Sequence, residues 1–293
     1  PTGFTLDYNK NYYVRTKYGS SNPAGVFSNW SVASLFKTKE ESIYADDVFS
    51  TYLYTGNGST QTIANGIDLA GEGGMVWIKN RDKGGSPMAW ASNYLFDTAR
   101  NPDNSGSMEY LITNQSGTSG PTNSDTTKDF GGWASDGFLL GEPYSMGGDA
   151  LNGSGDDFVS WTFRKAPGFF DVVTWTGTND GTRIPHNLGS LPGMIIVKNL
   201  DSSVDWKVYA KKEMWIDGET YAYYKLSLNN INQSTETVAN IANTDTFNPQ
   251  SMGSEASGTN YIAYLFADDD KRFGTNGDES IIKCGVYTGN AST

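Results

Sequence analysis

At 293 residues the chain is long enough for about two domains of ordinary size, each able to bury a core without covalent staples. Thirty-three Asp and Glu against 21 Lys and Arg give a formal charge of −12, which excludes the clustered basic footprint of a nucleic-acid binder. The single cysteine, Cys284, excludes an intrachain disulfide framework, and no apolar run reaches the roughly 18 residues of a membrane-spanning helix, so no membrane insertion is expected.

Residues 1–47 are rich in Tyr, Asn and Ser and carry the charged runs Lys37-Thr38-Lys39-Glu40-Glu41 and Asp46-Asp47. The run Val32-Ala33-Ser34-Leu35-Phe36-Lys37 can be laid on Val159-Ser160-Trp161-Thr162-Phe163-Arg164. Three readings stand open for this segment: the tail of a degenerate repeat, a strand that completes the first sheet, or an arm that attaches to a partner.

From residue 48 the sequence repeats. Tyr54-Thr55-Gly56 returns as Trp175-Thr176-Gly177, 121 residues on (175 − 54), and Met75-Val76-Trp77-Ile78-Lys79-Asn80 as Met194-Ile195-Ile196-Val197-Lys198-Asn199. Tyr110-Leu111-Ile112-Thr113-Asn114 answers Lys225-Leu226-Ser227-Leu228-Asn229, and Ser154–Phe163 answers Ser257–Phe266, by then at an offset of 103 (257 − 154). Four blocks in one order, drifting only across Gly/Ser/Asn/Thr-rich stretches, define a repeated domain with loop insertions. The copies span 48–167 and 168–286, and a third opens at Tyr287-Thr288-Gly289 in 287–293. Because the chain starts at Pro1 and stops as that copy opens, it reads as a piece of a longer protein.

Each copy reads as β. Val159, Trp161 and Phe163 alternate with Ser160, Thr162 and Arg164, and Ile262, Tyr264 and Phe266 repeat the apolar face, the pattern of a half-buried antiparallel strand. Asn57-Gly58, Gly73-Gly74, Gly131-Gly132, Asp136-Gly137, Asp180-Gly181 and Asp217-Gly218 are the turn punctuation. No segment has sustained helical periodicity; Glu213-Met214-Trp215-Ile216 reads as a helical turn at most. The predicted fold is all-β, with tandem antiparallel β-sandwich repeats, jelly-roll-like, and long polar loops at 101–128 and 229–258.

Catalytic chemistry has little to stand on. His186 is the single histidine and sits in Pro185-His186-Asn187-Leu188-Gly189, at the place where the first copy has Asn65-Gly66-Ile67-Asp68, so a turn residue is the preferred reading. Asp156-Asp157, Asp268-Asp269-Asp270 and Asp278-Glu279 flank turns. They read as solvated loop charge, with a carboxylate pair for glycoside hydrolysis and a calcium site at Asp268, Asp270 and Asp278 as the alternatives. No catalytic residue, cofactor or metal site is expected. The aromatics outside the strand blocks are Trp90, Trp133, Tyr144, Trp206, Trp215, Tyr221, Tyr223 and Tyr224. Rings beside Asn, Asp and Gly suit sugar binding, which makes Trp90, Trp133, Tyr144, Trp206 and Trp215 glycan candidates. Packing under loops or between subunits is the other use, for which Trp215, Tyr221, Tyr223 and Tyr224 are the oligomer candidates.

Taken together, the Tyr/Trp-Thr-Gly motif, the run from Pro185-His186-Asn187-Leu188-Gly189 to Val197-Lys198-Asn199, Tyr94–Arg100, Ser135-Asp136-Gly137-Phe138 and Val159–Pro167 resemble the tandem repeats of tail-fibre and other appendage proteins of tailed phages, especially marine and cyanobacterial ones. The resemblance covers residues 48–293. It implies a β-rich, commonly trimeric, extracellular virion component that attaches to bacterial surface glycans, with other virion proteins met through residues 1–47. It supplies no catalytic motif. The expected function is therefore structural and adhesive, with a polysaccharide-degrading appendage or a secreted bacterial filament protein as the alternatives.

Overall fold

The alternation of large and small side chains becomes a nearly all-β architecture in the structure, a computed structural model describing residues 10–16, 29–37, 42–83, 91–104, 107–122, 124–144, 146, 150–216, 220–230 and 237–285. Residues 1–43 and 44–293 form two compact units. In the first, β1 (Asn11–Val14) pairs antiparallel with β2 (Ser34–Lys37), Tyr13 lying opposite Leu35. The segment likened to the Val159 strand is thus a strand, but its neighbour is β1. Among the described residues, the strands that pair in the first sheet of the repeats all lie between residues 49 and 164.

The second unit opens with the four-residue helix α1 (Ala45–Val48) and runs through β3 (Phe49–Thr55), β4 (Gln61–Ala64), α2 (Leu69–Glu72), β5 (Gly74–Asn80), β6 (Asn93–Asp97), β7 (Glu109–Ile112), β8 (Gly120–Pro121), β9 (Phe130–Ala134), β10 (Gly137–Leu140) and β11 (Asp157–Arg164). One sheet has the order β3-β11-β5-β6-β7-β8 and a second the order β4-β10-β9. Ile63, Phe130, Phe138 and Leu140 of the three-stranded layer pack on Tyr54, Val76, Ile78, Phe96 and Phe158 of the six-stranded one, the two-layer core of a β-sandwich.

The second copy comprises β12 (Phe170–Thr176), β13 (Ile184–Pro185), β14 (Pro192–Asn199), β15 (Lys207–Ile216), β16 (Thr220–Ser227), β17 (Thr237–Ala239), β18 (Thr246–Phe247) and β19 (Asn260–Ala267). Its order, β12-β19-β14-β15-β16-β17, matches the first strand for strand, with β13-β18 as the facing layer. Glu213–Ile216, read as a helical turn, lies inside β15, since the β-branched and aromatic residues of 207–216 pair with β16. The long polar loops are interrupted by the short strands β7, β8, β17 and β18. Asp217-Gly218 and the opening of the third copy lie outside the described residues.

The repeated motifs do the same work twice. Tyr54 stacks on Phe158 at 5.0 Å and Trp175 on Tyr261 at 5.2 Å, and each donates from its polar tip to a loop carbonyl, Leu151 O and Ser254 O. Thr55 Oγ1 bonds Asp157, and Thr176 Oγ1 bonds Asn260. The glycine follows from a close backbone approach: a Cβ would fall 2.2 Å from Gly153 O at Gly56 and 2.3 Å from Ala256 O at Gly177. In the Lys-Asn block, Asn80 and Asn199 each cap the turn that follows, accepting from Asp82 and Asp201 N–H groups at 2.9 Å. Those two aspartates in turn accept from the N–H of Asp157 and of Asn260. Lys79 Nζ donates to Ala91 O, and Lys198 Nζ to Asn199 O, Ser202 O and Val204 O. Burial pulls the Lys198 ammonium down to about 8. Even His186 keeps the pattern. Its N–H donates to Asp245 O as Asn65 N–H does to Asp136 O, and its Nδ1 accepts from Leu188 where Asn65 Oδ1 accepts from Ile67.

The alternation in β11 needs one correction. Its face toward its own sandwich core carries Phe158, Ser160 and Thr162, all fully buried, whereas Val159, Trp161 and Phe163 point the other way. In β19, likewise, Tyr261, Ala263 and Leu265 belong to the core of the second copy and Ile262, Tyr264 and Phe266 to its outer face. These outer faces are covered because the two six-stranded sheets lie back to back. Phe163 meets Phe266 at 5.5 Å and Phe170 at 5.6 Å, and Trp206 Nε1 donates to Ile112 O and Gln115 O of the first copy. The registers agree: Trp161 opposes Trp77 where Tyr264 opposes Ile196. Four β layers result, with an apolar interior between the repeats as well as within each.

Candidate functional site

The junction of the repeats holds a buried polar centre to which both copies contribute. β6 ends at Asp97, which is fully buried, and the turn after it folds Arg100 back onto the same carboxylate. Arg100 Nε and Nη2 reach Asp97 Oδ2 at 2.8 and 2.6 Å, and the Arg100 N–H reaches Oδ1 at 3.0 Å. From the second copy the Tyr264 hydroxyl donates to Asp97 Oδ2 at 2.8 Å. Burial works against the guanidinium charge, yet Asp97 beside it leaves the Arg100 pKa raised. Burial, reinforced by the Asp97 charge, drives the Tyr264 pKa far up, so its proton stays in place as the donor. Arg100 Nη1 is buried without a hydrogen-bond partner.

Arg100 also lines an open cleft of about 390 Å³ at the rim of this junction. Glu109 stands beside it, and Thr174, Thr176, Asn260 and Leu200 come from the second copy. Glu109 accepts from Ser119, Asn260 is engaged with Thr176 and Asp201, and Thr174 is exposed. Hydroxyl, amide and carboxylate groups around an open, partly apolar hollow can hydrogen-bond a polyhydroxylated ligand. Arg100 follows Asp97 by three residues in the run Tyr94–Arg100, so this pair was visible in the sequence. Tyr264 as its partner was not, since only back-to-back packing brings residue 264 to residue 97.

The predicted aromatic sites do not converge. Trp133 is buried in the first core with Nε1 on Asn101 O at 2.7 Å, so it cannot meet a glycan. Trp206 is 1% exposed and donates across the junction to Ile112 O and Gln115 O. It binds repeat to repeat and is neither a glycan residue nor a subunit contact. Tyr223 is fully buried, its hydroxyl on Pro192 O at 2.7 Å, which removes it from the oligomer candidates. Tyr144 is 63% exposed, with Lys128 Nζ 5.9 Å from the ring centroid. Tyr224 is partly buried on β16, opposite Ala210. Trp215 and Tyr221 pair across β15 and β16, their side chains lying outside the described residues as Trp90 does entirely.

The acidic patches are paired locally. Asp156 meets Asn80 and Lys83, Asp268 meets Lys211 and the Cys284 N–H, and Asp270 meets Arg272 through both oxygens. Among the described residues no group of three His, Cys, Asp or Glu side chains is placed to hold a metal ion.

The fold and its junction define a protein of tandem antiparallel β-sandwich repeats. The chain belongs to the family of the domain of unknown function DUF7483, whose model matches it twice, over residues 44–169 and 165–293. No curated protein and no solved structure matches the chain.

Proposed function

We propose that the chain is a non-enzymatic structural and adhesive component of a phage virion, a tail fibre or related appendage that displays β-sandwich repeats toward the host surface. The observation that carries this reading is that the recurring motifs are engaged in building and joining the sandwiches. Tyr/Trp-Thr-Gly, Lys-Asn-x-Asp and the Asn65/His186 turn each hold strands and loops in place in both copies. A stiff body whose repeats are locked by a buried interior suits a part that bears load and presents loops. The resemblance to appendage repeats supplies the virion setting, and the cleft at Arg100, Glu109 and Asn260, with exposed Tyr144, supplies surfaces for bacterial glycans. In this reading the chain self-associates, as a trimer on the family pattern, and residues 1–47 meet other virion proteins.

Two measurements test it. Mass spectrometry of purified virions is expected to find the protein among the particle components. Glycan-array binding is expected to fall with Tyr144→Ala or Asn260→Ala, while the folded state is kept. Absence from virions together with no glycan binding would overturn the proposal.

A further inference from the structure

Among the described residues the strand β3 is a sheet edge. β11 is its only neighbouring strand among the described residues, and its sequence Phe-Ser-Thr-Tyr-Leu-Tyr-Thr has no charge, proline or glycine to discourage pairing. Leu53 is 60% exposed and Tyr52 37%, with Thr51 and Thr55 exposed beside them. Each end of this edge is acidic. Exposed Asp46 and Asp47 precede it on α1, and exposed Asp157 stands opposite Thr55 at its far end. Two copies of β3 paired antiparallel would set these carboxylates against each other, which disfavours an edge-to-edge dimer of β3 with itself. The edge is suited to an uncharged strand bracketed by basic residues.

The chain contains such a strand. β1, Asn-Tyr-Tyr-Val, runs between Lys10 and Arg15, both exposed, and has β2 as its single strand neighbour among the described residues. A two-stranded hairpin is marginal by itself in water, and this one exposes Tyr13 at 72%, Leu35 at 57% and Val14 at 44%. Charge divides the same way over the whole sequence. Residues 1–43 hold five Lys and Arg against three Asp and Glu, a net +2, and residues 44–293 hold 16 against 30, a net −14.

We infer that β1 of one copy adds to the β3 edge of a second copy, extending its six-stranded sheet by the donor's hairpin. The ladder bonds of the added strand supply affinity, and the Lys10/Arg15 and Asp46/Asp47/Asp157 brackets set which strand is accepted. This goes beyond the adhesive reading and rests on its self-association alone, by naming the surfaces that meet.

Analytical ultracentrifugation of the full chain tests it. Wild type is expected to self-associate in the micromolar range, and the double variant Lys10→Glu/Arg15→Glu to weaken this by at least about tenfold. Leu53→Lys, which places a charge on the edge, is expected to do the same with the melting temperature unchanged. Mixing the Lys10→Glu/Arg15→Glu chain with an Asp46→Lys/Asp47→Lys chain is expected to restore association. Hydrogen exchange should show β3 amides protected in the assembly and open in the variants. A wild-type chain that stays monomeric across the micromolar range, or an assembly indifferent to both charge reversals, overturns the inference. Glycan binding and virion content are measured separately, so either proposal can fail while the other stands.

Discussion

Asp97 illustrates how one side chain ties two domains together, holding Arg100 of its own copy and Tyr264 of the other. The Arg100 guanidinium and the Tyr264 hydroxyl meet on one Asp97 oxygen, in a site where the Asp97 side chain is 0% and the Arg100 side chain 4% exposed. Removing one member strands a buried charge, so Arg100→Met is expected to cost about 3–5 kcal/mol in chemical denaturation. Tyr264→Phe, which loses one charge-assisted bond, should cost about 1.5–3 kcal/mol, and the two losses should be non-additive in a double-mutant cycle. At the motif glycines, Gly56→Ala and Gly177→Ala should each destabilise by about 1–3 kcal/mol, because the added carbon meets backbone and not a flexible side chain.

His186 extends the residue scale to pH. Burial lowers its pKa below the ordinary value, and neutral Nδ1 accepts from the Leu188 N–H while Nε2 faces Asn243 O at 3.2 Å. The unfolded chain therefore binds a proton near pH 6.5 before the folded one does, and folding is favoured less as the pH falls. Stability from this site is complete above about pH 6.5 and declines through that value until the lower folded pKa is passed. His186→Asn, the residue of the first copy, should flatten this part of the stability curve between pH 7 and 5 in urea titrations.

At the scale of the element, the junction turns on which face of a strand is inside. β11 and β19 are largely covered on both faces, so at these strands neither copy has the solvated outer face ordinary for an antiparallel sheet. Separating the copies would bare Val172, Ile196, Ile262, Tyr264 and Phe266 on one sheet and Leu95, Leu111, Trp77 and Phe163 on the other. Residues 44–169 expressed alone are expected to self-associate or aggregate, read by light scattering, whereas 44–293 should not do so through this face. A soluble monomer of 44–169 would show that the back-to-back interior is dispensable.

For the whole molecule, the four-layer stack places Trp206, Phe163, Phe170, Tyr264 and Phe266 in an interior between the repeats. Among the described residues, the cleft, Tyr144, the β3 edge and the N-terminal hairpin are the surfaces on which the two proposals rest. Purified protein is expected to release no reducing ends from host polysaccharide. Release that disappeared in Asp156→Asn or Asp269→Asn would return the paired-carboxylate reading to the front.

The sequence by itself determined the β class, the two copies, their equivalent strands and the turn role of His186. These rest on side-chain alternation, on turn residues with restricted dihedrals and on short-range spacing, all of which are local. The structure alone decided that Val159, Trp161 and Phe163 face a second sheet, that Trp133, Trp206 and Tyr223 are buried, and that Tyr264 closes on Asp97. An apolar residue on an alternating strand announces that it will be covered, but the periodicity is identical whatever covers it. Only the packing of one sheet against another, set by contacts 167 residues apart at Asp97 and Tyr264, fixes the partner.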